Sequence, residues 1–156
     1  MGQGYMLECE NGHRLDYHLG IGMLYPVVYE ETINDINAGK YGEDLKDYFQ
    51  QHPGAAINAS RSLYVCTKCH HPHEALNLDL YCRKGDAKSE ECWCYWCDDK
   101  GYDFIRSYDH RCPDCGTSMI LLEDDTEKIE ENDSIQTLCP ECNAPMQFGF
   151  SGLMWD

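Results

Sequence analysis

The chain has 156 residues, of which 42% are hydrophobic, which suits one ordinary domain or two small ones. Its 28 acidic residues against 12 basic ones give a formal net charge of −16, which argues against direct binding to the phosphates of DNA or RNA. No stretch approaches the roughly 18 apolar residues of a membrane span and residues 1–22 carry no signal-peptide pattern, so we expect a cytoplasmic protein without membrane association.

Cysteine usage is the strongest compositional signal. The chain contains 11 cysteines, and eight of them form four pairs with C-x-x-C spacing. In a reducing compartment such pairs more often bind a metal than form disulfides, because the spacing directs two sulfurs at one Zn²⁺. A secreted, disulfide-stapled chain is the alternative, but such chains usually have an even cysteine count and a signal peptide.

The first candidate ligands follow a short strand predicted over 5–9. Cys9 and His13 are separated by three residues, with Gly12 in the turn, as expected for a zinc knuckle in which histidine replaces the second cysteine. A free buried cysteine beside a surface histidine is the alternative interpretation.

Two short helices are predicted within residues 26–52. Apolar positions recur near helical spacing over 27–38, before Gly39, and a second helix over 43–50 precedes Pro53. We expect these helices to form a hairpin that is inserted between the halves of a zinc site and supplies much of the core.

A strand predicted over 62–66 leads into a second knuckle, formed by Cys66 and Cys69. His70 completes the sequence C-x-x-C-H, which is also the attachment signature of a c-type haem. A zinc knuckle is the preferred interpretation, because the other three pairs lack this histidine.

Two further histidines, His71 and His73, extend this knuckle into a histidine-rich segment. They either extend a metal site or form a polar turn. The alternation of leucines with other residues then predicts a strand over 76–81 with one buried face.

The middle segment, residues 82–100, has two interpretations. Its cysteines could hold a compact third zinc, with Cys82, Cys92, Cys94 and Cys97 as ligands. Alternatively, the last two could form a thioredoxin-like redox pair, although the acidic turn that follows them does not supply the helix N-terminus that activates such a thiol.

The last two knuckles are Cys112-Pro-Asp-Cys115-Gly116 and Cys139-Pro-Glu-Cys142-Asn143, preceded by a strand or short helix over 101–111. Proline presets the turn, and glycine or asparagine accepts the left-handed conformation after it.

Three strands are predicted around these knuckles, over 117–122, 134–138 and 145–155. Residues 123–133, between the first two strands, contain seven acidic residues and one lysine. Such a run usually forms a solvated loop.

The ligand count suggests how the knuckles combine. Eleven cysteines and His13 make twelve candidate ligands, enough for three four-coordinate sites if consecutive knuckles pair. The predicted sites are Cys9/His13/Cys66/Cys69, Cys82/Cys92/Cys94/Cys97 and Cys112/Cys115/Cys139/Cys142. Cross-braced pairings, such as Cys66/Cys69 with Cys94/Cys97, also fit. We expect two zinc ions, and a third if the middle cysteines bind metal.

The knuckles in 112–143 resemble those of zinc-ribbon, or rubredoxin-like, proteins over about 45 residues. An early knuckle, a glycine-rich loop, a helical hairpin and a late ribbon together resemble small uncharacterised bacterial zinc-ribbon proteins. The resemblance implies a metal site and a fold element, and no particular activity. Rubredoxin binds iron through the same four thiolates, so iron and electron transfer remain open, although the 23-residue insert between the knuckles favours zinc.

The predicted fold class is α+β: a small zinc-stapled protein with zinc-ribbon β-hairpins and an inserted helical hairpin. We expect an N-terminal zinc-binding region over 1–100, with the insert at about 26–52, and a C-terminal zinc ribbon over 101–156. Closed four-ligand sites do no chemistry, so no catalytic or cofactor-binding residue is predicted.

The predicted function is therefore that of a non-enzymatic, acidic protein-interaction module that docks on a basic partner. The alternative is an enzyme that uses the histidine- and cysteine-rich region 66–97. It would be a zinc hydrolase or a thiol oxidoreductase, and the residues concerned would be His13, His70, His71 and His73, or Cys94 and Cys97. Metal storage or delivery is a third class.

Overall fold

The computed structural model describes residues 2–85, 101–122 and 136–155, which form two helices and nine strands. In chain order they are β1 (Gly2–Cys9), β2 (Arg14–Gly20), α1 (Tyr25–Asn37), α2 (Glu43–Gln51), β3 (Ala55–Ile57), β4 (Arg61–Cys66), β5 (Pro72–Leu76), β6 (Leu80–Arg83), β7 (Tyr102–Arg106), β8 (Met119–Leu121) and β9 (Met146–Trp155). The strands pair mostly antiparallel, so the predicted α+β class is confirmed.

The chain divides into two compact units, each built from separate segments. Unit 1 comprises residues 1–22, 61–75 and 109–156, and unit 2 comprises residues 23–60 and 76–108. The sequence predicted one boundary near residue 100 instead. The chain therefore passes from one unit to the other four times.

Unit 1 contains a six-stranded sheet in the order β5-β4-β2-β1-β9, with β8 also paired to β4. Strands β1 and β2 form a hairpin whose register runs from Gly2 opposite Gly20 to Glu8 opposite Arg14. Strand β2 was not predicted from the sequence, although its apolar residues alternate with polar ones. On the other side of β1, the start of β9 places Met146 opposite Cys9.

The core of unit 1 lies on one face of this sheet. Alternate residues of β1 point inward, so Tyr5, Leu7 and Cys9 are buried, and Leu63 and Val65 of β4 pack with them. Cys139 is fully buried in the same cluster. Cysteines 9 and 139 therefore belong both to the core and to a candidate metal site.

Unit 2 contains the helical pair predicted within residues 26–52. Helix α1 carries Pro26 in its first turn, a position at which the missing N–H costs nothing, and it buries Ile36. Helix α2 begins with two acidic residues at its positively polarised end and buries Leu45. A three-stranded sheet in the order β3-β6-β7 completes the unit.

The strand predicted over 76–81 was wrong. β5 ends at Leu76, β6 begins at Leu80, and Leu78 between them has a left-handed backbone with φ of 61°. The side-chain oxygen of Asn77 accepts the N–H of Asp79 at 2.9 Å, which closes a turn. Leu78 is buried in unit 2 because the turn folds it inward, and not because the segment is extended.

Candidate metal centre

Unit 1 gathers eight cysteine and histidine ligands into two groups of four. The Cys₃His cluster consists of Cys9, His13, Cys139 and Cys142, and the Cys₄ cluster consists of Cys66, Cys69, Cys112 and Cys115. Within each cluster, all four potential ligand atoms lie within 4.8 Å of one another. Each group could therefore hold one metal ion.

The distances inside the clusters fit the edges of a tetrahedron around zinc. Bond lengths of about 2.3 Å to sulfur and 2.0–2.1 Å to nitrogen imply S···S edges of about 3.8 Å and N···S edges of about 3.5 Å. In the Cys₃His cluster, Cys9 Sγ lies 3.7 Å from Cys142 Sγ, and Cys139 Sγ lies 3.4 Å from His13 Nδ1. In the Cys₄ cluster, two S···S contacts measure 3.4 and 3.6 Å.

The three C-x-x-C knuckles of unit 1 share one backbone arrangement. In each, the N–H of the first cysteine donates to the carbonyl five residues later. The pairs are Cys66 with His71 at 3.1 Å, Cys112 with Thr117 at 2.8 Å and Cys139 with Ala144 at 2.9 Å. The N-terminal knuckle is one residue tighter: Cys9 N–H donates to the carbonyl of His13 at 3.0 Å, around Gly12 with φ of 80°.

The residue after each second cysteine adopts the left-handed conformation. Gly116 has φ of 71° and Asn143 has φ of 56°, as their residue types predicted. His70 occupies the same position with φ of 59°, and its N–H donates to the carbonyl of Cys66 at 3.1 Å. The backbone of His70 thus completes an ordinary knuckle, which accounts for the C-x-x-C-H sequence without a haem.

Hydrogen bonds stabilise the thiolate form of the outer cysteine in each late knuckle. Donors on Thr117, first its hydroxyl and then its backbone N–H, lower the pKa of Cys115 to about 6. The side-chain amide of Asn11, at 3.3 Å, and the N–H of Ala144 lower the pKa of Cys142 to about 6. Asn11 and Thr117 were not predicted from the sequence, although each lies two residues after a ligand cysteine.

Three other cysteines behave in the opposite way, whereas in the fully buried Cys66 the effect of burial is outweighed by the backbone N–H groups of Cys69 and Lys68, which lower the pKa. Burial raises the pKa of Cys69 to about 12, and burial also raises the pKa of Cys112 and of Cys139. A buried thiolate needs a nearby positive charge, and a divalent cation at the centre of each cluster supplies one. The donor set and its electrostatics therefore suit a metal ion.

The predicted pairing of consecutive knuckles was wrong. The first and last knuckles of unit 1 pair with each other around the two inner ones, so the sites are nested. Strand pairing explains this arrangement. β1 and β9 bring Cys9 opposite Met146, four residues after Cys142, while β4 and β8 bring Cys66 opposite Met119.

The predicted third site lies mostly outside the described residues. Cys92, Cys94 and Cys97 fall in the stretch 86–100, as does the proposed redox pair. Cys82 lies in β6 of unit 2, where its half-buried thiol is hydrogen-bonded with the Tyr48 hydroxyl. The acidic loop 123–133 is likewise outside the part of the chain that the structure describes.

His71 connects the two clusters. Its Nδ1 contacts Asp114 Oδ2 of the Cys₄ knuckle at 2.9 Å, and its Nε2 contacts Asn143 Oδ1 of the Cys₃His knuckle at 3.4 Å. The N–H of Leu138 also donates to the carbonyl of His70 at 2.9 Å. The two candidate metal sites are therefore neighbours that share supporting contacts.

Comparison with known proteins identifies no relative: no family model, no curated protein and no solved structure matches this chain. Over residues 2–85, 101–122 and 136–155, no helix has the length and apolar character needed to cross a membrane.

Proposed function

We propose that this chain is an acidic, zinc-dependent protein-interaction module, in which Zn²⁺ fills both clusters and stabilises unit 1, and that it is not an enzyme. The observation that carries this proposal is the completeness of both ligand sets. Four protein ligands leave no position for water or substrate, and such closed sites contribute to folding. Cys₃His and Cys₄ are common donor sets for structural zinc, and the histidine favours zinc over a rubredoxin-type iron.

Charge supports a basic protein as the partner. Unit 1 contains 15 acidic and 5 basic residues, which gives a net charge of −10. Zinc bound by four thiolates adds about −2, and zinc bound by three thiolates and a neutral histidine adds about −1. A field of this sign attracts a basic surface and speeds its association, while it repels nucleic-acid phosphates.

A groove beside the Cys₃His cluster offers a place for one basic side chain. The groove encloses about 520 Å³ and is lined in part by Met6, Phe148, Glu8 and Glu10. A lysine or arginine could lay its aliphatic stem on the apolar pair and direct its charge at the carboxylates. A Cβ at Gly149 would lie 2.9 Å from Met6 Cε, so glycine leaves room for Met6 on the groove wall.

Elemental analysis of the purified protein tests the zinc part of the proposal. We expect at least two zinc ions per chain. We expect the backbone amides of β1 and β9 to exchange hydrogen slowly in the zinc-loaded protein, and faster once a strong chelator has removed the metal. Fewer than one zinc ion per chain would reject the proposed module.

Binding of a lysine- and arginine-rich peptide, followed by fluorescence anisotropy, tests the docking part. We expect affinity to fall as salt rises, and to fall about tenfold in the double variant E8Q/E10Q, because two exposed carboxylates are lost from the groove. The control E30Q/E31Q removes two exposed carboxylates from α1 in unit 2. Equal affinities for the two double variants would reject the groove as the docking site.

A further inference from the structure

A third group of metal-ligand atoms lies beside the Cys₄ cluster. His73 Nε2 lies 3.5 Å from Cys112 Sγ and 3.5 Å from Asp114 Oδ2. The ligand atoms of all three residues lie within 4.8 Å of one another. The Cys₄ cluster already has four thiols, so it needs neither the imidazole nor the carboxylate.

One hydrogen bond, from Nε2 of His73 to Cys112 Sγ at 3.5 Å, accounts for only one of these two contacts. Nε2 carries at most one hydrogen, yet it lies equally far from two groups that are both acceptors when ionised. The 3.5 Å separation from the carboxylate is longer than an N–H···O hydrogen bond, which spans 2.7–3.2 Å. Zinc bound by the same three atoms would give N···S and N···O edges of about 3.5 and 3.3 Å. The two observed distances are close to two edges of a second tetrahedron, and the third pair of ligand atoms lies within 4.8 Å.

The surroundings hold these donors in place and leave one side open. His71 contacts the same Asp114 oxygen at 2.9 Å, which orients the carboxylate towards His73. The Asp114 side chain is 48% exposed, whereas Cys112 is 2% exposed. A metal ion held here would therefore face solvent on the carboxylate side and the Cys₄ cluster on the other.

We propose that His73, Asp114 and Cys112 form an accessory Zn²⁺ site, in which the Cys112 thiolate bridges to the metal of the Cys₄ cluster. Three protein donors leave the fourth position to water, so this ion exchanges faster than the two enclosed ones. His71 is a positioning residue for Asp114. The inference rests on the proposed function in one respect, because a bridging thiolate requires metal in the Cys₄ cluster.

The test is a zinc titration of the full-length, zinc-loaded protein against a chromophoric chelator, after elemental analysis has counted the tightly bound ions. We expect the wild-type protein to bind one further, weaker Zn²⁺. In H73A and in the isosteric variant D114N the affinity for this ion should fall at least tenfold, with the tight ions retained. H71N should weaken the binding of the further Zn²⁺ by about tenfold without abolishing that binding.

The matched control is H18A, which removes an exposed histidine of unit 1 on β2 and should titrate like the wild type. Weak zinc bound elsewhere, for instance by cysteines 92, 94 and 97, would persist in H73A and D114N. The proposal is overturned if the wild type takes up no further zinc, or if D114N binds it as tightly as the wild type does. Loss of the tight ions from the wild type itself would instead contradict the proposed function.

Discussion

The hydrogen bond from Asn11 to Cys142 offers a direct probe of how the fold tunes metal affinity. The amide nitrogen of Asn11 lies 3.3 Å from Cys142 Sγ and is the largest influence lowering the pKa of that thiol to about 6. The variant N11A removes this donor and leaves the N–H of Ala144 in place. The thiolate then becomes harder to form at pH 7, so a proton competes more strongly with zinc for the sulfur.

We expect N11A to lower the zinc affinity of the Cys₃His cluster by about tenfold. Changes to groups that support metal ligands cost 10–100-fold, and the low end applies because Asn11 is exposed and a second donor remains. Affinity is measured at pH 7 by competition with a chelator, in the C112S/C115S background, where the Cys₃His cluster is the one of the two clusters in unit 1 that stays complete. The control E10A changes a neighbouring exposed residue of the same loop. If N11A and E10A bind zinc equally well, hydrogen bonding by Asn11 does not tune the site.

Three further predictions follow from the knuckle geometry. Because Thr117 donors hold the pKa of Cys115 near 6, T117V should raise it towards the ordinary thiol value of 9. As pH falls from 9 to 6, zinc binding by the Cys₄ cluster of T117V should weaken more steeply than in the wild type, by up to about a further tenfold per pH unit, because another proton must be released. T67V is the matched control. Parallel pH profiles for T117V and the wild type would contradict this prediction. H70G should keep both metals and change the free energy of unfolding by less than about 1 kcal/mol. H70V should lower the free energy of unfolding by about 1–2 kcal/mol, because a branched residue is strained at positive φ. Loss of a metal in H70G would mean that the imidazole is a ligand. C139S/C142S should remove one zinc and leave the Cys₄ zinc, while C112S/C115S should do the reverse; loss of both ions from either variant would show that the clusters do not load separately.

The ligands were predictable from the sequence because a knuckle is local. Two residues between cysteines, a proline and a following glycine or asparagine fix a turn within six residues, and the structure contains that turn at Cys112 and Cys139. The role of His70 was harder to predict, because histidine is an unusual choice for a left-handed position. The imidazole suggested haem attachment or metal binding, whereas it is the backbone of His70 that completes the knuckle.

The pairing of knuckles was not predictable from spacing. Between Cys69 and Cys112 there are 42 residues, against 23 between Cys115 and Cys139, and closing the longer loop costs only about 0.5 kcal/mol more. That free-energy difference is small compared with the stabilisation from pairing β1 with β9, which runs along both strands. Contacts distant in sequence therefore decide which knuckles meet.

The central claim is that two separate metal ions occupy nested sites in unit 1. Anomalous diffraction at the zinc absorption edge, from crystals of the purified protein, tests it most directly. We predict one peak surrounded by Cys9, His13, Cys139 and Cys142, and a second surrounded by Cys66, Cys69, Cys112 and Cys115. A peak shared by the Cys112 and Cys139 knuckles, or no zinc peak at either cluster, would contradict the account.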